Sequence, residues 1–68
     1  MDEKERLRIL LSHWVEHNDG HAKEFREWAQ KAGKLGQTMV CEDIVQAARQ
    51  MEKANGFLLA ALGRLKEA

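Results

Sequence analysis

The sequence predicts an all-α fold, an antiparallel helical hairpin that pairs with a second copy into a four-helix bundle. Three observations carry this reading. The chain has no proline and is rich in Ala, Leu, Glu, Lys, Arg and Gln, the residues that lose least on entering a helix. Apolar residues recur at helical spacing in two separate stretches. Between the stretches lies one short, glycine-bearing break, Gly33-Lys34-Leu35-Gly36-Gln37-Thr38.

The first helix is expected over about 2–33. In it Leu7, Trp14, His21 and Trp28 occupy one heptad position, and Leu10, His17 and Glu24 the second core position. Leu11, Asn18, Phe25 and Ala32 flank them. Gly20 costs about 1 kcal/mol in a helix relative to alanine, but the stripe keeps its phase on either side, so an unbroken helix is expected. The loop is expected over about 34–38, with Gly33 ending the first helix in a left-handed conformation and Thr38 capping the second. Glu42 and Asp43 are expected to favour the positive end of the second helix dipole. That helix should run over about 39–66, with Ile44, Ala48, Met51, Asn55, Leu58, Leu62 and Leu65 as its stripe. A short connection between long helices makes them antiparallel neighbours, and residues 1–68 form one domain.

A chain of 68 residues has a marginal core, and its one cysteine forms no internal disulfide. A partner chain, a metal or good helix packing must supply the difference. Ile9, Val15, Leu35, Val40 and Leu59 lie off the expected seam, so the partner expected is a second copy. An unidentified protein is the alternative occupant. Eleven basic residues balance eleven acidic ones, which speaks against nucleic acid or an anionic membrane as partner. No apolar run is long enough for a membrane span, and the charged start, Met1 to Arg8, does not resemble a signal peptide. The single thiol fits a reducing cytoplasm, with Cys41 expected as a small buried hydrophobe.

Folding the hairpin sets Leu7 against Leu65, Trp14 against Leu58 and Trp28 against Ile44. The middle differs: His17 and Asn18 face Asn55, and His21 faces Met51 with Glu52 beside it. Burying such groups without partners costs several kcal/mol, so this layer is expected to satisfy itself or bind an ion. Histidines four apart share one helix face and can ligate one metal. His13 and His21, about 12 Å apart along the axis, cannot share an ion on a straight helix. His17 and His21 occupy core positions and are the expected ligands, whereas His13 lies at the seam's edge toward a neighbouring chain. Glu24, Glu52 or His13 would complete the shell, with Asn18 and Asn55 supporting ring nitrogens or bound water. Nitrogen-rich donors with one carboxylate suit Zn, Ni, Co, Cu or Fe.

Other chemistry has weaker support. The order His-x-x-Glu, present twice, reverses the Glu-x-x-His of di-iron bundles. There is no Cys-x-x-Cys-His for haem attachment. An enzyme is the least favoured class, since no nucleophile–base pair or phosphate loop stands out. Two readings lead: a small metal-binding protein, carrier or sensor, and a dimerisation module whose His/Asn layer only sets register.

The segment His13-Trp14-x-x-His17-Asn18-x-x-His21-x-x-x-Phe25-x-x-Trp28-Ala29, with Met51-x-x-Ala54-Asn55 after it, resembles a family of short, uncharacterised prokaryotic helical domains. The resemblance implies a helical hairpin and brings no established activity.

Overall fold

Asp2 begins the first helix. The computed structural model describes residues 2–67, and in it the Asp2 carboxylate accepts the Glu5 N–H at 2.7 Å, occupying one of the donors that a helix start leaves unpaired. Helix α1, Glu3–Lys34, then runs for 32 residues with Glu3 and Glu5 in its first turn and Lys31 and Lys34 in its last, both favourable to the dipole. It passes through Gly20 without a break. A Cβ added at Gly20 would meet nothing within 4 Å, so the residue marks neither a kink nor a close helix approach within the hairpin.

The left-handed residue of the turn lies three positions later than expected. Gly36, not Gly33, takes the left-handed conformation, at φ 80°. The Gln37 N–H reaches the Ala32 carbonyl at 2.9 Å and the Gly36 N–H reaches that of Gly33 at 3.0 Å, the paired bonds of a Schellman motif. Gly33 remains helical, and a Cβ there would meet the Cys41 Sγ of the returning helix at 3.7 Å, an ordinary van der Waals contact, so the position does not require glycine. Helix α2, Thr38–Glu67, has 30 residues. Thr38 is its first helical residue rather than its cap, since the Cys41 N–H bonds the Gln37 carbonyl at 2.9 Å. No acidic residue lies in its first turn, so Glu42 and Asp43 sit beyond the position where a dipole helps most.

The two helices form an antiparallel hairpin 51 × 17 × 11 Å in extent. Helix α2 presents the expected stripe, with Ala48 and Asn55 buried and Ile44, Met51, Leu58, Leu62 and Leu65 half-buried. Helix α1 is rotated from expectation. Its seam runs through Leu11, Val15, Asn18, Ala22, Phe25, Ala29 and Ala32, one heptad position past the stripe of Leu7, Trp14, His21 and Trp28. The distance between two packed helices follows the size of the side chains at their contact. Ala22, Ala29 and Ala32 meet the stripe containing Ala48, while the indole rings go to the flank. Trp14 stays 41 % exposed and Trp28 56 %, with the Lys31 ammonium 4.2 Å from the Trp28 ring centre. Among the described residues no large side chain is fully buried, and no helix is long and apolar enough to cross a membrane.

Candidate metal centre

The rotation of α1 divides the expected polar layer in two. Its inner half is an asparagine cluster. Asn55, only 4 % exposed, donates from Nδ2 to the Val15 carbonyl and to Asp19 Oδ1, each at 2.9 Å, and accepts the Asn18 Nδ2–H at 3.0 Å. Among the described residues no buried side-chain polar atom lacks a partner. This half of the layer is complete without any ion, so Asn18 and Asn55 hold the hairpin in register and bond each other rather than a histidine ring.

The outer half is histidine. His13 and His17 are exposed and His21 is half-buried, so the expectation that His17 and His21 stand inside the hairpin seam is corrected. The cause is the phase of α1: with Leu11 and Asn18 at the centre, His21 falls on the rim, His17 a further step outward and His13 nearly opposite the seam. The three rings nonetheless associate. His13 and His17 stack with centroids 6.1 Å apart, His17 and His21 meet edge to face at 4.5 Å, and Phe25 continues the row 6.0 Å from His21. The Nε2 atoms of His17 and His21 converge to 3.2 Å.

That convergence has a chemical meaning. At that distance one Nε2–H donates to the other Nε2, the direction depending on the tautomers of the two rings. Two nitrogens on one tetrahedral ion, with bonds of about 2.0–2.1 Å, stand about 3.3–3.4 Å apart. The nitrogen separation thus matches either a hydrogen bond or a chelated metal.

The other expected ligands do not converge on this pair within one hairpin. Glu52 lies on the opposite rim, where Arg26 grips it with two bonds, Nε to Oε2 at 3.0 Å and Nη2 to Oε1 at 2.6 Å. The bond from Arg26 holds the Glu52 carboxyl below the usual carboxylate range, against a smaller opposing effect of desolvation. Both side chains are nearly half exposed, so solvent screens the pair. Glu24, one turn beyond His21, is exposed. Among the described residues no group of three His, Cys, Asp or Glu side chains is placed to hold an ion. Cys41 is a half-buried free thiol at the turn.

Two participants were missed from sequence. Asp19 follows Asn18 and is one turn from Val15, and that spacing could have identified it as a partner for Asn55. Arg26 has no comparable signal, because its bond to Glu52 depends on the reach of two long side chains across the rim.

A family model for a domain of unknown function (DUF8180) matches residues 7–65. No curated protein and no solved structure gives a significant match to the chain.

Proposed function

The chain belongs to the DUF8180 family, and we propose that it is a small metal-binding protein, a carrier or sensor, in which His17 and His21 form a two-nitrogen chelate. The observation behind this reading is the 3.2 Å separation of their Nε2 atoms on an accessible rim of α1. Imidazole pairs suit Zn, Ni, Co, Cu or Fe as divalent ions. Two nitrogens from one hairpin leave the rest of the shell to donors from outside it. The ion is then gained and lost as those donors come and go, which favours carriage or sensing over a sealed structural role. Because protons compete with the metal for the ring nitrogens, uptake weakens in acid. The unpaired Cys41 fits a reducing cytoplasm as the setting.

Calorimetric titration of untagged protein with Zn²⁺ and Ni²⁺ tests this directly. Saturable binding is expected, weakened at least 10-fold by His17→Ala or His21→Ala and little changed by His13→Ala. At a free metal concentration about 100 times the dissociation constant, mass action adds about 2.7 kcal/mol to stability, so the melting temperature should rise. An unmoved melting curve and no heat of binding would leave the second reading, a dimerisation module. That reading draws its support from the self-contained asparagine cluster around Asn55.

A further inference from the structure

The stripe that α1 leaves uncovered is bulky and has the His17–His21 pair at its middle. Reversing it about Asp19 sets His17 opposite His21, Trp14 opposite Glu24 and Leu10 opposite Trp28. Reversal is what a twofold axis across the helix does to an antiparallel copy of the same helix. On the same side of the hairpin, α2 carries Ala47, Ala54 and Ala61 at heptad spacing, next to the half-buried Met51, Leu58 and Leu65. The shared side is shown by the shallow groove in which Leu7 and Leu11 meet Ala61 and Leu65. Reversing the alanine stripe about Ala54 sets Ala47 opposite Ala61. The two centres lie level, because Asn55, adjacent to Ala54, is bonded to Asp19 and Asn18. One axis therefore serves both helices.

We infer that this face binds a second copy of the chain, α1 on α1 and α2 on α2, and that the twofold axis brings two His17–His21 pairs together to enclose one divalent transition-metal ion between the copies. The inference rests on the chelate reading above and adds the missing ligands. A single hairpin supplies two converging nitrogens and no third donor among the described residues. Its copy supplies the same two from the facing helix, giving the four-nitrogen set that tetrahedral Zn²⁺ accepts.

Surface area supports the occupant. The chain exposes 5321 Å², whereas a compact folded chain of this length exposes about 4,400 Å². The excess is close to the 800 Å² or so that each partner contributes to a standard interface. The face is built to be covered: Leu7, Leu10, Trp14 and Trp28 are each more than two-fifths exposed. The bulky α1 stripes meet around the histidines, and the alanine stripes let the α2 helices approach closely.

Two measurements test the proposal. Titration with Zn²⁺, read together with sedimentation, should give one ion per two chains on a dimer, and His17→Ala or His21→Ala should abolish that stoichiometry. One ion per chain, or a monomer at saturating Zn²⁺, overturns the shared site while leaving the chelate intact. Absence of any Zn²⁺ binding overturns the chelate and the shared site together. In a Cys41→Ser background, Ala54→Cys should cross-link into a covalent dimer on mild oxidation, because residue 54 lies on the axis, whereas Lys53→Cys, pointing away from that face, should not. Equal cross-linking at both positions overturns the assigned face.

Discussion

Asn55 holds three hydrogen bonds at the middle of the seam, two given and one received. Each such bond contributes about 0.5–1.5 kcal/mol net, and a buried group left without its partner costs about 1–3 kcal/mol. Asn55→Ala should therefore lower stability by about 1–3 kcal/mol, read as a fall of roughly 4–8 °C in melting temperature per kcal/mol for a domain of this size. Asn55→Leu tests specificity instead. It should keep the helices paired, but with the polar pin gone more than one register becomes available, seen as doubled amide resonances. A single unchanged set of resonances in Asn55→Leu would show that register is set elsewhere.

At the scale of the helices, the glycines separate local cost from local need. Gly20 is helical with open space around it, so Gly20→Ala should stabilise the protein by about 1 kcal/mol in chemical denaturation. Gly36 adopts φ 80°, so Gly36→Ala should destabilise it by about 1 kcal/mol or more. Both helices, their antiparallel return and the continuity through Gly20 were legible from the two apolar stripes and the absence of proline. The phase of α2 was legible too, because its large apolar residues and its seam coincide. The phase of α1 was not. That helix carries two adjacent stripes, one of Leu7, Trp14, His21 and Trp28 and one of Leu11, Asn18, Ala22 and Ala29. Ranking by side-chain size selects the first, whereas a two-helix seam admits the smaller residues of the second. The histidine pairing survived that error because side chains four apart meet on any face of a helix. The asparagine cluster was read as support for the histidines, and Asp19 took the bond instead.

For the molecule as a whole, the two sides of the hairpin are unequal. One rim carries the Arg26–Glu52 pair, the other the exposed leucines and indoles of α1. Leu59, one heptad beyond Glu52, shares its side, although sequence reasoning grouped it with residues that a second copy would cover. Leu59→Glu should then leave self-association unchanged, while Trp14→Glu should raise the concentration of half-dissociation at least 10-fold in sedimentation. The proposed dimer also predicts a wild-type melting temperature that rises with protein concentration. A melting temperature independent of concentration would show that the exposed rim stays uncovered.

The three-residue link Leu35 to Gln37 also decides how the chain assembles. Pairings nearest the link join residues close in sequence, and each layer outward joins residues slightly farther apart, so the rods close like a zip from one end. Such topologies collapse in microseconds to milliseconds. The open tips breathe first and the stretch beside the bend last. Halfway along, the imidazole pair stands between these extremes, so the amides of that turn should exchange with solvent at an intermediate rate.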